Sequence, residues 1–507
     1  MPNPRRWSIL AVLSGSLLLI SLDNTILNVA LPRLQEDLSA TTSQLQWVID
    51  AYSVLFAGSL LLAGTLGDRF GRRRVLLIGL FIFMAGSLGA VFAPGADALT
   101  ACRAVMGIGG ACIMPSTLSI LVQVFPDPRE RAQAIGIWAA VAGVGIALGP
   151  ILGGLLLEHF SWHSIFLVNP PIAILAVIAV FALVPESRDP SKPALDPLGA
   201  VLSTLGIVAL VTTVIELPDA GLDAYTLGLA AAAVLLLAAF VWWERRVRRP
   251  MLPMEYFGNR LFSTAIIVVG LVYFALMGAM FFLPQFLQLV QGMTPLQSGL
   301  SMIPAAAGLL VASMLSPRLA ERFGTRRIVV IGLLIVVVGL VAFSTFIRTT
   351  PYWFIAIALA FMAGGLGMTL PQATNGVLAA VPAERAGMGS AVNDAVAELG
   401  GSFGVAILGT AMSLTYRSNI EAAIEAAGDA VGRLPASAIE AARESLAAAS
   451  IAASRVPADL ADAYRLVVGK AFVAGMGSAL FIGAGIVLLG ALIAWRRFPA
   501  RVEHAAE

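Results

Sequence analysis

Residues 64–74 read GTLGDRFGRRR, and a related stretch, PRLAERFGTRR, follows at residues 317–327. Arg-Phe-Gly aligns directly between the two stretches, and Asp68 of the first corresponds to Glu321 of the second. Both are polar loops between long apolar runs. A repeat at this spacing, with both loops on one side of a membrane, predicts two structural repeats related by an axis along the membrane normal.

Apolar runs continue on either side of these loops through almost the whole chain. Hydrophobic residues make up 59% of the 507 residues, charged residues only 12%, and the mean hydropathy is +0.89. A run of about 18 or more apolar residues crosses a bilayer as a helix, because lipid forces backbone groups to bond within the segment. We therefore predict an all-α polytopic membrane protein; the alternating segments of a membrane β-barrel are absent from the sequence.

Fourteen spans are predicted from the apolar runs. Their expected bounds are 8–31, 45–66, 75–93, 98–121, 133–157, 164–184, 197–216, 224–243, 261–289, 297–320, 328–347, 352–378, 389–414 and 467–495.

The repeat divides these spans into three predicted regions. They are an N-terminal six-helix half (1–184), two inserted helices with a basic cytoplasmic linker (185–260), and a C-terminal six-helix half (261–507). The last region includes a long extracytoplasmic segment (416–465), for which two roles stay open: a cap over the outer mouth or a disordered tether.

The 32 Lys and Arg residues are distributed unevenly between the two sides. Most of them share a side with the N-terminus, including the clusters in 69–74, 245–249 and 318–327. Positive charge marks the cytoplasmic side of a membrane protein, and an even number of spans returns the C-terminus to that side. We expect a multi-pass protein of a bacterial inner membrane with both termini in the cytoplasm.

Span five carries a run of glycines, GIALGPILGG, at residues 145–154. Gly145, Gly149, Gly153 and the neighbouring Gly154 leave a flat helix face that allows close contact with another helix. Pro150 adds a kink, because it leaves a backbone carbonyl without its usual partner. Simple helix packing is the plainest interpretation of this run.

Five ionisable residues fall inside predicted spans, where each costs about 2.5–3.5 kcal/mol on insertion scales. They are Asp23, Asp50, Arg103, Asp394 and Glu398. The first three reach a similar depth in the N-terminal half. We predict that Asp23 and Arg103 form a coupling pair, with Asp50 close by, in which protonation of a carboxylate breaks the ion pair and changes helix packing. A static structural ion pair is the alternative.

Asp394 and Glu398 lie four residues apart, and hence on one face of span thirteen. Two carboxylates this close repel, so the pair is expected to share a proton that a lipophilic cation can replace. Asn393 and surrounding aromatic and methionine side chains would complete a substrate site. The candidates are Tyr52, Trp138, Tyr273, Met280 and Phe281, for each of which lipid contact or plain packing is the competing interpretation.

Several other functions are disfavoured by the sequence. The glycine clusters at 107–110 and 364–367 lack the Gly-Lys-Ser/Thr pattern of a nucleotide-binding loop. No nucleophile–base or metal-ligand constellation occurs, so an enzyme is not expected. A membrane scaffold or receptor has no reason to bear the cost of buried charges. We expect no cofactor, and an ion gradient as the energy source.

Together, these motifs resemble the major facilitator superfamily, and more narrowly its fourteen-span drug:proton antiporters of the quaternary-ammonium and multidrug exporter type. The 64–74 loop and the 145–154 glycines carry the resemblance. Three further stretches add to it: LDNTILNVALP at 22–32, the segment from Arg103 to Gly110, and residues 160–171.

The resemblance implies roles for these residues. The loops would form a cytoplasmic gate, made of Gly64, Asp68, Arg69, Gly71, Arg72, Glu321 and Arg322. The 145–154 glycines would be the antiporter motif, which favours export over import. The family places acids at the positions of Asp23, Asp50, Asp394 and Glu398. This chain departs from it at Asn393, where some members carry a further acid, and in 302–314, which holds none.

The resemblance further implies a proton-coupled antiporter that exports lipophilic, cationic drugs, antiseptics or antibiotics by alternating access. Export of one natural product or of a lipid is the alternative. The expected partners are lipophilic cations, protons and membrane lipids, with no nucleic acid, and the expected state is a monomer.

Overall fold

The computed structural model describes residues 5–188, 196–247, 250, 252, 254–381, 386–427 and 434–501. Within this part the chain is almost entirely helical and contains no strand. The α-helices are α1 (Arg6–Leu38), α2 (Thr42–Phe70), α3 (Arg72–Val91), α4 (Ala96–Val124), α5 (Pro128–His159), α6 (Ser164–Leu167), α7 (Asn169–Leu183), α8 (Pro197–Ala220), α9 (Ala224–Glu244), α10 (Arg260–Gln285), α11 (Pro295–Leu300), α12 (Ile303–Phe323), α13 (Thr325–Ser344), α14 (Tyr352–Ala379), α15 (Ala386–Ala427), α16 (Ala436–Glu444), α17 (Leu446–Ala452) and α18 (Ala458–Arg497).

Twelve helical segments of the described chain are long and apolar enough to cross a membrane. The count becomes thirteen if α2, which bends by 48° after Leu60, is taken as one span. Helix α5 contributes a shorter apolar stretch, Gly143–His159. Every predicted span overlaps one of these helices, whereas fourteen complete crossings stay a prediction.

The same packing order occurs twice along the chain. In the first half α4 packs against α2 and α3, α1 against α5, and α7 against α1 and α3. In the second half α14 packs against α12 and α13, α10 against α15, and α18 against α10 and α13. The order matches helix for helix, as the repeated loops predict. We call the end of the bundle that carries the α2–α3 loop the inner end, and the opposite end the outer end.

The two halves are joined by hydrogen bonds near the outer end. The Gln46 side chain of α2 donates to the carbonyl oxygens of Val405 and Ala406 on α15, at 3.2 Å each. The Gln288 side chain, just after α10, donates to the Val29 carbonyl of α1 at 2.9 Å. These hydrogen bonds, together with the contact of α5 with α11, close the bundle at this end.

Helix α8 covers the line of contact between α2 and α15. It packs against both helices, and the Thr410 hydroxyl of α15 donates to the Val214 carbonyl of α8 at 2.8 Å. Val54, Val211 and Ala406, one from each helix, belong to a separate buried apolar cluster at this place. The inserted pair is therefore attached to both halves, with α9 packed on the far side of α8.

Two short helices close over the outer end. Helix α17 contacts both α1 and α18, and α16 packs against α15 and α17. Tyr416 and Tyr464 donate to the carbonyls of Ala442 and Ala438, both at 2.7 Å. The described part of segment 416–465 is thus a folded cap, the first of the two roles left open by the sequence; residues 428–433 lie outside the described part.

Candidate functional site

A buried ion pair joins α1 to α4 inside the first half. Arg103 donates from Nη1 to Oδ2 of Asp23, and from Nε to the Val48 carbonyl of α2 at 3.1 Å. Both charged residues are only 1% exposed. The structure therefore brings together the two residues that we predicted as a pair, and it supplies the further hydrogen bond that a buried guanidinium requires.

The other carboxylate oxygen of Asp23 is held by α7. Asn169 donates from Nδ2 to Asp23 Oδ1 at 2.8 Å, and its Nδ2 also reaches Ser87 Oγ of α3 at 3.0 Å. Ser87 in turn donates to the Phe166 carbonyl at 2.8 Å. Neither Asn169 nor Ser87 is among the site residues predicted from the sequence, although a polar side chain directly before Pro-Pro in an apolar run is a usable signal for Asn169.

Tyr52 lies beneath Arg103 instead of lining a cavity. The Arg103 guanidinium carbon is 4.5 Å from the centre of the Tyr52 ring, which stacks on Phe56 at 5.7 Å. Tyr52 has no exposed surface. In this conformation the ring acts as a cation–π partner of Arg103, which differs from the predicted substrate contact.

Asp50 occupies the line of contact between the two halves. It is fully buried on α2, and the side chain of Ser402 on α15 is its polar neighbour. Neither Asp50 carboxylate oxygen meets the geometry of a hydrogen bond with any described residue, and the same is true of Ser402 Oγ. An ionised carboxylate in such a place is costly, so Asp50 differs sharply from the paired Asp23.

Asp394 and Glu398 face the interior from α15 and are partly exposed. Asn393 donates to Asp394 Oδ1 at 3.2 Å, and Glu398 is adjacent to Ser53 of α2. Tyr273 of α10 is also partly exposed and lies within electrostatic range of both acids. These residues form an acidic surface to which both halves contribute.

Glu398 connects this acidic surface to the buried ion pair. It lies within electrostatic range of Arg103, although the two residues belong to different halves. Tyr52, between them, experiences the charges of Glu398, Asp23 and Arg103 together. Of the two acids of α15, Glu398 is therefore the one that interacts with Arg103.

The remaining predicted wall residues are mostly buried. Trp138 is 8% exposed and Phe281 is 1% exposed, with the Phe281 ring packed edge-on against Phe282. Met280 is partly exposed. Tyr273 and Met280 thus have surface available in this conformation, whereas Phe281 belongs to the packing of the second half.

The 64–74 loop is ordered by contacts within the first half. Gly71 separates α2 from α3 with φ of +120°, and Asp68 Oδ1 accepts from Nε and Nη2 of Arg72 at 2.9 and 2.8 Å. Arg72 also donates to the Ser119 carbonyl of α4 at 3.3 Å. Arg69 is exposed, and a side-chain carbon added at Gly64 would lie 3.8 Å from Pro115.

Glu186, which our sequence analysis missed, links this loop to the segment after α7. Its carboxylate accepts from the Arg73 backbone at 3.2 Å and lies 3.6 Å from Arg74 Nε. The Arg72 backbone donates to the Ser187 carbonyl at 2.8 Å. The loop is thereby tied to the end of the last helix of its half.

The second loop repeats this arrangement with different partners. Gly324 separates α12 from α13 with φ of +88°, and Arg326 donates to the Phe498 carbonyl after α18. Glu321 and Arg322 are exposed. The backbone of the repeat is therefore preserved, whereas Glu321 does not reproduce the ordered contact of Asp68 in this conformation.

The glycines of α5 face two different neighbours. Side-chain carbons added at Gly145, Gly149 and Gly153 would meet α1, the second of them 2.0 Å from Thr25 Oγ1. Gly154 instead faces α11 of the other half, where an added carbon would lie 2.5 Å from the Pro295 carbonyl oxygen. Pro150 meets the same helix, with its carbonyl against Gly299. The run thus serves both packing within one half and contact between the halves.

Comparison with known families identifies the fold. Residues 13–405 match the family described as Major Facilitator Superfamily. The chain belongs to this superfamily. It is therefore a multi-span membrane transporter of the superfamily and not an enzyme. Among the described residues no group of His, Cys, Asp and Glu side chains could hold a metal ion.

The alignments with several relatives extend over most of this chain. The multidrug efflux pump LfrA of Mycolicibacterium smegmatis is 37% identical, over 96% of this chain and 95% of its own. The tetracenomycin C resistance and export protein of Streptomyces glaucescens is 33% identical, over 97% of this chain and 91% of that protein. The methyl viologen resistance protein SmvA of Salmonella typhimurium is 31% identical, over 82% of this chain and 84% of that protein.

Solved structures show the same fold at low sequence identity. A bacterial homolog of the human lysosomal transporter Spinster, inward-facing and unoccupied, gives a TM-score of 0.68 at 17% identity, over 98% of this chain and 99% of that one. A D-xylose–proton symporter gives a TM-score of 0.61 at 14% identity, over 97% of this chain and 98% of that one.

Proposed function

We propose that this protein exports lipophilic cationic drugs in exchange for protons, by alternating access between the two sides of a bacterial inner membrane. The observation that carries the proposal is that partly exposed Glu398 of α15 lies within electrostatic range of Arg103, the buried partner of Asp23. The names of the relatives, which are multidrug efflux and antibiotic resistance proteins, support drug export.

Asp394 and Glu398 would bind the cation. Their partial exposure lets a ligand reach them, and Tyr273 beside them offers an aromatic ring to a desolvated positive charge. A bound cation neutralises Glu398, the acid within electrostatic range of Arg103. Substrate binding would thereby weaken the attraction between Glu398 and Arg103. Asp23 would then be the main partner of the Arg103 charge.

Asp23 and Asp50 would carry the coupled protons. Protonation of Asp23 removes the charge that holds Arg103, and so weakens the connection from α1 to α4. Asp50 would be the second proton site, because it is buried at the α2–α15 contact and neither of its carboxylate oxygens meets hydrogen-bond geometry with a described residue. Opening of the α2–α15 contact would hydrate Asp50 and release that proton.

We place the loops of residues 64–74 and 317–327 in the cytoplasm, following the Lys and Arg distribution, with fourteen crossings and both termini on that side. The closed outer end then makes this conformation inward-facing. Export requires the contacts of Gln46 and Gly154 with the second half to open, and the two cytoplasmic loops to approach each other.

Export of a single natural product is a second candidate. The relative from Streptomyces glaucescens is named for resistance to and export of one compound, tetracenomycin C, and matches 97% of this chain. A transporter for such a cargo need not depend on a carboxylate opposite a cation. Retention of transport by a Glu398→Gln variant would favour this candidate.

The proposal is tested by ethidium accumulation in inside-out vesicles with an imposed acidic lumen. Glu398→Gln and Asp394→Asn are expected to reduce uptake about tenfold or more, because each removes a carboxylate charge opposite the bound cation and a loss of about 1.4 kcal/mol is already tenfold. Glu425→Gln, on an exposed outer turn of the same helix α15, is the matched control. Uptake that ignores the pH gradient, or full activity of both acid variants, would contradict the proposal.

A further inference from the structure

A shallow, open surface groove runs along α9, outside the site described above. Six residues at helical spacing line it: Leu237, Ala238, Val241, Trp242, Arg245 and Arg246. The first three are apolar, Trp242 follows them, and the two arginines stand at the inner end. The groove therefore changes from apolar to cationic along a single face of the helix.

The base of the α8–α9 hairpin determines which face of α9 is presented. Trp243 Nε1 donates to both carboxylate oxygens of Asp196, at 2.8 and 3.0 Å, and Asp196 also caps the start of α8 by accepting from the Gly199 backbone. Glu244 is buried beside Gly199 and accepts from the Leu252 backbone at 3.0 Å. Both acids are thus turned toward α8, away from the groove.

The charge of the groove is consequently uncompensated. Arg245 and Arg246 are exposed, and no ion pair to either of them occurs among the described residues. The Arg246 guanidinium lies 4.4 Å from the centre of the Trp242 ring, which orients it beside the groove. Two guanidiniums in this setting suit a phosphate group, because their planar donors match its oxygens.

The length of the groove matches one leaflet of a bilayer. From Leu237 to Arg246 the helix rises about 14 Å, close to half of a hydrocarbon core of about 30 Å. The apolar candidate span ends at Glu244, so the arginines fall at the level of the lipid headgroups. Trp242, which is 53% exposed, sits where tryptophan is enriched at membrane interfaces.

We propose that this groove binds one anionic phospholipid, with its phosphate on Arg245 and Arg246 and an acyl chain along Leu237 and Val241. A zwitterionic lipid carries its own cationic group beside the phosphate, and the two guanidiniums would repel that group. In the orientation proposed above the lipid belongs to the cytoplasmic leaflet. The site is separate from the transport pathway, because α9 packs on the far side of α8.

Native mass spectrometry of the full chain in detergent tests this site with dioleoylphosphatidylglycerol and dioleoylphosphatidylcholine at equal concentration. We expect bound phosphatidylglycerol to predominate, and the Arg245→Ala/Arg246→Ala variant to bind it about thirtyfold more weakly, since each basic residue near the surface contributes about fivefold. Arg496→Ala/Arg497→Ala removes two exposed arginines at the same end of the bundle and is the matched control.

Each other outcome would overturn the proposal. Equal binding of both lipids would show that the groove does not recognise the charge of the lipid. An equal loss of phosphatidylglycerol binding in the two double-arginine variants would show only a general attraction of the lipid to basic residues. Displacement of the lipid by millimolar inorganic phosphate would indicate a soluble anion instead. Lipid-free melting temperatures of both variants, expected to equal that of the unmodified chain, separate loss of the site from loss of folding.

Discussion

At the scale of single residues, the two buried acids of the first half differ in what surrounds them. Asp23 accepts hydrogen bonds from Arg103 and Asn169, whereas Asp50 accepts none from the described residues. Replacing one partner of a buried ion pair leaves the other charge uncompensated. Replacing an unpaired acid by its amide removes a cost instead of adding one.

We therefore expect opposite effects on stability from Asp23→Asn and Asp50→Asn. The first should destabilise the protein by about 3–5 kcal/mol, because Arg103 keeps its buried charge. The second should leave stability unchanged or raised. Thermal unfolding in detergent measures both, and Asp37→Asn, an exposed position on α1, is the control. Equal destabilisation by the Asp23 and Asp50 variants would contradict the difference that we describe.

Transport should respond differently from stability. In the proposed mechanism both acids carry protons, so both amide variants should lose uptake driven by the pH gradient. A variant at Asp50 that folds normally but no longer couples would separate the two properties. Asp50→Asn vesicles that retain the full pH dependence of ethidium uptake would remove Asp50 from the coupling mechanism.

At the scale of secondary structure elements, α5 connects packing within one half to contact between halves. Gly145, Gly149 and Gly153 allow α1 to approach closely, and Gly154 allows α11 to approach from the second half. The glycine spacing of four indicated a flat face. It did not indicate that the glycine next to this face belongs to a different interface.

A larger residue at Gly154 should weaken the closed outer end. In Gly154→Val the first side-chain carbon would lie 2.5 Å from the Pro295 carbonyl oxygen, so α5 and α11 must separate. We expect a cysteine placed at Ser402, which is 1% exposed, to become several times more reactive toward an impermeant maleimide added from outside.

Gly143→Val is the control for this change. It lies on the same helix, and an added carbon there meets nothing within 4 Å. Unchanged maleimide labelling in Gly154→Val, or equal labelling in both valine variants, would show that Gly154 does not maintain the closure.

At the scale of the whole molecule, the outer end is closed by contacts from several elements. The Gln46 side chain bonds to α15, the Gln288 side chain bonds to α1, and α17 contacts both α1 and α18. Helix α8 adds an attachment to α2 and α15 from outside the bundle. Alternating access requires these contacts to open together.

A disulfide across the outer end should therefore stop transport. A carbon added at Gly409 would lie 3.3 Å from Gln46 Cγ, so cysteines at these two positions are close enough to join. In a chain without Cys102 and Cys112, we expect oxidation of Gln46→Cys/Gly409→Cys to abolish ethidium uptake and dithiothreitol to restore it. Each single-cysteine chain is a control, and undiminished uptake by the crosslinked protein would contradict alternating access at this end.

Sequence alone determined the helical class, the membrane environment, the repeat and the choice of buried charges. These follow from quantities read along the chain, namely apolar length, Lys and Arg distribution, and the alignment of residues 64–74 with 317–327. The cost of a charge in lipid singled out Asp23 and Arg103 without any knowledge of their neighbours.

The partner that each of these side chains meets depends on the tertiary fold, which the sequence does not reveal. The structure placed Asn169 on Asp23, Tyr52 under Arg103, and Asp50 opposite Ser402. It also buried Phe281 in the second half instead of exposing it to a substrate. The rotation of each helix about its axis is set by packing against helices distant in the sequence. In an apolar helix with a weak polar face, the periodicity of the local sequence does not indicate that rotation.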